Sequence, residues 1–464
     1  MSQATKYDVI VIGTSQGGRF LPIEFAKAGR RVAVIERGPL GGVCVNFGCT
    51  PTKTMVASAR VAYLAKRGAE YGVRTGPVSV DLHAVRKRKQ NMVEGARNYF
   101  ESLVKPVAGM DLLRGEARFT ASKTLEVSLK DGETREITAP LIFINTGARP
   151  KQLTIKGVES VSLLDSTTIM ELDSLPEHLL IIGGGYIGLE FGQMFRRFGS
   201  EVTIIQHHPR LLMNEDEDVA DEITRIFRED GITVLTEAVP QHIQPLNGAR
   251  IQLTVRTPKG EQQVAGSHLL AAIGRVPNTE ALNTEAAGIQ LDKQGYIQVN
   301  EQLETNVPGI YAIGDVKGGP AFTHLTYDDF RILRTNLLDH GRASTRNRVV
   351  PHTIFIDPQF GRVGMTENEA RKQGRNIRVA KLPMNAVIRA LETLETRGFM
   401  KAIVDADTQQ ILGCAILGLE GGEIMTIIQV AMMGKLPYTA LRDAVLTHPT
   451  LAEGLNTLFM TIDS

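Results

Sequence analysis

Cys44 and Cys49 are the residues of this chain best placed to do chemistry. They lie five positions apart in the run GGVCVNFGCTPTK, Gly41 to Lys53, and make up two of only three cysteines. A disulfide closing so short a loop stabilises a fold by roughly 2 kcal/mol on the loop-entropy model, so a structural bridge would gain more from a longer loop. A zinc site would need about two further soft or imidazole ligands. Only Cys414 remains among the thiols, and none of the ten histidines lies inside the motif. Buried cysteines that merely fill space are the other alternative. Paired glycines and a helix start surround these two, which favours a reactive thiol pair. The pair reads as a redox centre that opens and closes during turnover.

The elements around the pair supply a context for electron transfer. Residues 7–12, YDVIVI, read as a buried strand, and Gly13 opens the turn GTSQGG, which ends at Gly18. A helix to about Gly29 and a strand from Arg31 to Ile35, ending at Glu36, complete a βαβ unit. Turn glycines, a helix N-terminus for a pyrophosphate, and an acid for ribose hydroxyls make up a dinucleotide fingerprint. Two features depart from it. Ser15 stands where the second glycine would let a phosphate approach closely, and Pro22 removes an N–H early in the helix.

A second copy, LLIIGGGYIGLEFGQMFRRFGSEVTII from Leu179, carries the full glycine spacing at Gly183, Gly185 and Gly188. Its second strand, Glu201 to Ile205, ends at Gln206. Two such folds imply two cofactors with electrons moving between them. The segments LIFINTGARP (Leu141 to Pro150) and AAIGRVPNT (Ala271 to Thr279) flank this copy. TNVPGIYAIGD then brings a strand to Gly314 and Asp315, where an aspartate can hold a sugar or ribityl hydroxyl. A Gly-Asp pair is otherwise a common cap or turn. Beyond about Arg346 the pattern changes to strands and helices with no phosphate loop, as expected of a separate C-terminal domain.

Bulk properties narrow the class. A chain of 464 residues has room for about two to four domains. A formal net charge of +1 gives no field suited to nucleic acid or an anionic membrane. The basic run Arg86 to Lys89 reads as a solvated helix face. No apolar stretch is long enough to span a bilayer, and MSQATKYD lacks the charged and apolar regions of a signal peptide. A cytoplasmic setting is expected.

In this order the motifs resemble the class I pyridine nucleotide-disulfide oxidoreductases, the family of lipoamide dehydrogenase, glutathione reductase and mercuric reductase. The resemblance also takes in the terminal run HPTLAE, His448 to Glu453. It implies an α/β fold with two Rossmann-like dinucleotide-binding domains plus a C-terminal α+β dimerisation domain. Residues 1–150 and 275–345 would form a discontinuous FAD-binding domain, 151–274 an NAD(P)-binding domain, and 346–464 the dimerisation domain. FAD would be held by Gly13, Ser15, Gly18, Glu36, Gly42, Lys53, Thr146, Gly147, Gly314 and Asp315. NADPH or NADH would be held by Gly183, Gly185, Tyr186, Ile187, Gly188, Gln206 and Gly274. No resident metal is implied.

On the family pattern Cys49 is the flavin-side, charge-transfer sulfur and Cys44 the interchange thiol. His448, oriented by Glu453, would serve as acid/base in the active site of the partner in a homodimer. Lys53 would lie near the flavin with Glu190 as its carboxylate partner, and Tyr186 matches an aromatic gate over the nicotinamide face. Gln206 removes the carboxylate that would repel a 2′-phosphate, and His207, His208 and Arg210 follow it, so NADPH is slightly favoured. The expected activity is NAD(P)H-dependent reduction of a disulfide or thiol-reactive metal through Cys44 and Cys49, as in mercuric reductase. The chain ends LNTLFMTIDS, without the extra cysteine pair of the well-known mercuric reductases. A dihydrolipoamide dehydrogenase is the alternative enzyme, and a non-catalytic, flavin-holding redox sensor is the alternative of another class.

Overall fold

The computed structural model describes residues 4–104, 107–247 and 250–462. The chain forms two compact units. The first gathers the residues up to Thr54, Ala84–Lys151 and Gly274–Arg348, and the second gathers Met55–His83, Gln152–Ile273 and the chain from Val349.

In the first unit the strand Val9–Ile12 is buried throughout, because parallel strands flank it on both sides. The parallel strands run in the order Met110–Ala121, Val32–Glu36, Val9–Ile12, Leu141–Ile144, Ile310–Ala312. Side chains alternate across this sheet. Ile10, Ile12, Ala33, Ile35, Ile142 and Ile144 pack on one side with Phe119. Val9, Val11, Val32, Val34 and Phe143 pack on the other with Leu21, Phe25 and Phe330. The strand order reverses at Val9–Ile12, which opens a crevice at the carboxyl ends of the strands, the usual ligand position in such sheets.

Two helices of this unit differ from sequence-based expectation. Pro22 is not in the opening turn but at the seventh position of the helix Gln16–Lys27, and it is buried. That helix therefore runs without one bond to the Gly18 carbonyl. The basic run Arg86 to Lys89 lies in the helix Leu82–Val104, but it is not one solvated face. Lys89 is 2% exposed, while Lys87 and Arg88 are exposed. Successive helical residues turn about 100°, so four in a row cannot share a face.

The second unit contains an all-parallel sheet in the order Thr233–Leu235, Glu201–Ile205, His178–Ile182, His268–Ala271, Leu163–Leu164. The helix Tyr186–Phe198 follows its central strand, and a three-stranded antiparallel sheet covers residues 239–266. The C-terminal part is an antiparallel sheet ordered Pro351–Ile354, Gln359–Gly364, Ile411–Gly418, Phe399–Asp405, Ile377–Pro383. The helix Gly421–Met433 packs Ile424, Met425 and Ile428 onto this sheet in a core that includes Cys414. Burial pushes the Cys414 thiol up to about 12, as befits a packing cysteine. The fold is α/β, with two Rossmann-like layers and a C-terminal α+β domain. Among the described residues no helix is long and apolar enough to cross a membrane.

Candidate active site

The first glycine turn is shaped for an anion. Gly13 sits at φ +97°, and a Cβ there would meet the Asn145 carbonyl group. A Cβ on Gly18 would run into the Gly13 carbonyl oxygen, so the helix Gln16–Lys27 closes tightly on its strand. The N-cap residue Ser15 makes no side-chain bond to that helix, and its first turn carries no acid. The positive end of the dipole thus meets no acid of its own at the crevice, which fits a pyrophosphate.

The Ser15 hydroxyl is engaged by a buried amide. Its Oγ donates to Asn145 Oδ1 at 2.6 Å, while Gly42 gives it space, since a Cβ there would meet Ser15 Cβ at 2.5 Å. Serine is tolerated here because its hydroxyl has a buried acceptor and its methylene has a glycine opposite. Glu36 ends its strand beside the turn. Its Oε2 accepts from Thr14 N (2.9 Å) and Thr14 Oγ1 (2.6 Å), and Oε1 accepts from Gly38 N at 2.7 Å.

Asn145 was not legible from motif spacing. It is 3% exposed; Oδ1 also accepts from Gly18 N at 2.9 Å, and Nδ2 donates to Ile313 O at 3.0 Å. One amide thereby ties the glycine turn to the strand that delivers Gly314 and Asp315. Thr146 and Gly147 follow it and are fastened to Asn278 by Thr146 Oγ1 to Asn278 O (2.9 Å), Asn278 Nδ2 to Thr146 O (2.9 Å) and Asn278 N to Gly147 O (3.0 Å). Burial raises the pKa of Asp315, with Arg275 and Lys317 opposing that shift. Gly314 N donates to Asp329 Oδ2 at 2.9 Å, and Asp329 is itself paired with Arg348 at 2.8 Å.

The redox loop lies on a short helix, Gly42–Asn46, and the start of the long helix Cys49–Lys66. Asn46 is buried and shapes the loop. Its Nδ2 donates to Leu40 O (2.8 Å) and Gly42 O (2.9 Å), and its Oδ1 accepts from Arg97. A hydrogen bond to Cys49 pushes the Cys44 pKa up, with burial adding to the effect. Cys49 is the first residue of the long helix, where the dipole is positive. Its Sγ also meets Thr323 Oγ1 at 3.3 Å. Thr323 stands 274 positions away, and no local pattern announced it. Lys53 is one helical turn beyond Cys49 on the same face.

In the second unit the glycine turn repeats the first. Gly183 sits at φ +113°, a Cβ on Gly188 would strike the Gly183 carbonyl oxygen, and Gly185 has open space beside it. The helix that begins at Tyr186 and Ile187 likewise has no side-chain bond from its N-cap residue and no acid in its first turn. Gln206 is buried with Nε2 donating to Arg210 O at 3.3 Å. Arg210 pairs with Glu217 (3.2 Å) and Asp221 (2.9 Å). Burial, and then His208, lowers the pKa of His207. Glu190 is buried, with Oε1 accepting from Phe355 N at 2.9 Å. Lys53 belongs to the first unit and Glu190 to the second. Gly274, at φ +104°, falls in the first unit, whereas the other residues expected to hold NAD(P) fall in the second.

His448 and Glu453 are brought together. His448 Nδ1 lies 2.9 Å from Glu453 Oε2 and 3.2 Å from Oε1, with the histidine side chain 69% exposed and the glutamate 19%. A carboxylate that holds one ring nitrogen leaves the other facing outward. Among the described residues no cluster of three or more His, Cys, Asp or Glu is arranged to hold a metal.

Comparisons with known proteins agree with this geometry. Residues 7–329 match the family model described as pyridine nucleotide-disulphide oxidoreductase, and 350–459 match that family's dimerisation domain. The chain is 39% identical to the probable pyridine nucleotide-disulfide oxidoreductase RclA of Escherichia coli (strain K12), covering 98% of this chain and 99% of that one. It is 34% identical to a mercuric reductase of Staphylococcus aureus, over 98% of this chain and 82% of the relative. The same identity holds for a dihydrolipoyl dehydrogenase of Thermus scotoductus (strain ATCC 700910 / SA-01), at 97% and 96% coverage. Among solved structures it is similar to the HOCl-induced flavoprotein disulfide reductase RclA from Escherichia coli, with a TM-score of 0.89, 38% identity, and coverage of 98% of this chain and 100% of that one. Two glycine turns that open helices, a cysteine pair at a helix start and two family models over most of the chain lead to one assignment. The protein belongs to the pyridine nucleotide-disulfide oxidoreductase family, enzymes that work with FAD and NAD(P)H.

Proposed function

We propose that the enzyme uses NAD(P)H to reduce a thiol-reactive metal ion or a disulfide through Cys44 and Cys49. The observation that carries this proposal is the inequality of the two thiols. Cys44 is kept protonated by its hydrogen bond to Cys49 and by burial, while Cys49 has the helix start behind it. FAD, held by the first glycine turn and the residues grouped with it, would supply two-electron transfer between NAD(P)H and the Cys44–Cys49 disulfide. The balance is one NAD(P)H, one proton and the disulfide giving NAD(P)⁺ and two thiols. Two thiols then return to the disulfide as two cupric ions become cuprous, or one mercuric ion becomes metallic mercury, with two protons released. Cys49 is the thiol that carries negative charge once the reduced pair gives up a proton to solvent, and Cys44 is the thiol that meets substrate. Since Cys44 resists ionisation, it needs a base, and the His448–Glu453 dyad of a second subunit supplies it.

The remaining assignments belong to the same proposal. Residues 1–150 and 275–345 hold FAD, 151–274 hold NAD(P), and 346–464 form the homodimer. Support for the dimer comes from the matched dimerisation domain and from Val430 and Met433, 62% and 67% exposed on the helix Gly421–Met433. Lys53, one helical turn beyond Cys49, stabilises electron density on the reduced flavin. NADPH is favoured over NADH, because Gln206 offers no repulsion and the exposed ion pairs of Arg210 are worth about 0–1 kcal/mol, little enough for a 2′-phosphate to displace. A cytoplasmic setting suits an enzyme that draws on NAD(P)H. Cupric ion is the first substrate to test, since this chain is 38% identical to a flavoprotein disulfide reductase solved as a Cu(II) complex. A dihydrolipoyl dehydrogenase activity is the second reading, favoured by the 34% identity over nearly the full length of such an enzyme.

Steady-state assays with NADPH or NADH against cupric ion, mercuric ion, lipoamide and oxidised glutathione separate these outcomes. Cys44→Ser is expected to lose more than about 95% of turnover with the true acceptor, the size of loss seen when a nucleophile is removed. It should keep the long-wavelength thiolate–flavin absorption, which Cys49→Ser should abolish. Unchanged turnover in Cys44→Ser would reject the route through the pair.

A further inference from the structure

The Tyr186 ring is held by neighbours that the chemistry outlined so far does not use. Tyr186 is the first residue of its helix, directly after the open Gly185. Its ring lies 5.3 Å from the His352 imidazole with an interplanar angle of 21°, and its hydroxyl is 3.2 Å from His352 Nε2. His352 belongs to the strand Pro351–Ile354 and pairs in register with Arg362. The same Nε2 is 3.3 Å from Glu215 Oε1, while Glu215 Oε2 accepts from Arg362 Nη1 at 2.9 Å. Glu215 and Arg362 side chains are 2% and 5% exposed. Phe360 meets the imidazole edge-on at 6.1 Å.

These contacts make His352 a fixed surface. A carboxylate only accepts when ionised, so the ring nitrogen that faces Glu215 is the one bearing hydrogen. That hydrogen is within reach of the Tyr186 oxygen as well. Burial first, and then Glu215, raises the Tyr186 pKa, so the phenol stays neutral and stackable. By contrast, the tyrosine can pivot about its two side-chain torsions. A stack plus one polar contact to a clamped partner selects one of those rotamers.

We infer that His352 is a positioning residue that latches the Tyr186 ring in one rotamer and so sets how readily the nicotinamide nucleotide seats beside the second glycine turn. The inference rests on Tyr186 being the nicotinamide gate that the family resemblance implies. Glu215 and Arg362 hold the latch in turn. The interaction is local to the nucleotide side, so its loss should alter nucleotide binding and leave the thiol half of the reaction untouched.

The test uses the FAD-loaded enzyme and four variants: Tyr186→Ala, His352→Ala, His352→Phe, and Tyr186→Ala with His352→Ala. A normal flavin spectrum establishes that each is folded. KM for the nicotinamide nucleotide and kcat are measured together, and NADP⁺ affinity is measured by calorimetry on the oxidised enzyme. His352→Ala is expected to shift KM and NADP⁺ affinity by about threefold to tenfold, the scale of one aromatic contact, with KM for the electron acceptor unchanged. His352→Phe, which keeps a ring to stack on, should recover most of the shift. In the Tyr186→Ala background, His352→Ala should change nothing further. An additive effect in the double variant, or a His352→Ala enzyme like wild type, overturns the latch while leaving the gate standing. A Tyr186→Ala enzyme with unchanged nucleotide parameters overturns the gate itself, and the latch with it.

Discussion

At the scale of single residues, the site depends on side chains that hold backbone as much as on those that react. Asn145 is the clearest case. Its one amide satisfies Gly18 N and Ile313 O in buried positions and Ser15 Oγ in a half-buried one. Removing it strands a buried donor and a buried acceptor, and each such group costs about 1–3 kcal/mol. Asn145→Ala should therefore lower the melting temperature and speed FAD release on dilution. Asn145→Asp keeps the acceptor for Gly18 N and Ser15 Oγ but offers a second acceptor to the Ile313 carbonyl, so it should recover little. FAD retention in Asn145→Ala equal to wild type would show that the turn is held by other means. The two cysteines follow the same logic, since neighbours make them unequal. Asn46 shapes their loop and Thr323 touches Cys49.

At the scale of elements, the helix Cys49–Lys66 begins with a redox cysteine and is anchored further along. In the second unit Arg60, on this helix, pairs with Asp357 at 2.6 Å, and Arg197 of the helix Tyr186–Phe198 grips the same carboxylate. Tyr63 stacks under the Arg197 guanidinium at 3.9 Å. Burial alone would raise the pKa of Asp357, but Arg197 and then Arg60 outweigh it and hold the carboxyl below its ordinary value. A carboxylate with a depressed folded pKa contributes stability that is present above its unfolded value and lost as pH falls through the folded one. Asp357→Asn leaves two arginines without their shared carboxylate and should cost about 3–5 kcal/mol at neutral pH. The gap in melting temperature between wild type and variant should narrow as pH falls below about 4. A gap that stays constant down to pH 3 would place the acid sensitivity elsewhere.

At the scale of the whole molecule, the proposed acid/base and the proposed thiols lie far apart in the chain, and the dyad is open to solvent. If His448 serves a second subunit, two inactive proteins should rescue each other. Cys44→Ser and His448→Ala homodimers should each be nearly inactive, whereas a refolded or exchanged mixture should regain about a quarter of the wild-type sites. Half of the dimers would then be mixed, each with one complete site. Activity that never rises above that of the separate variants would place His448 with its own subunit's cysteines.

What the chain declares by itself is local. The glycine spacings, the strand-turn-helix order, the Cys44–Cys49 loop and the His448–Glu453 separation all lie within short windows, where backbone geometry and helix dipoles act directly. These were enough for the family and the fold class. The tertiary structure alone decided the partners that arrive from distant sequence: Asn145 for Ser15, Thr323 for Cys49, Asp357 for Arg60, and His352 for Tyr186. Each lies more than a hundred positions from its counterpart, and no periodicity links them. Their meeting depends on which strands become neighbours in a sheet and which turns then converge at its carboxyl edge. For the same reason Ser15 reads as an obstruction when only its own turn is considered, and as a tethered hydroxyl once the buried amide opposite is in place.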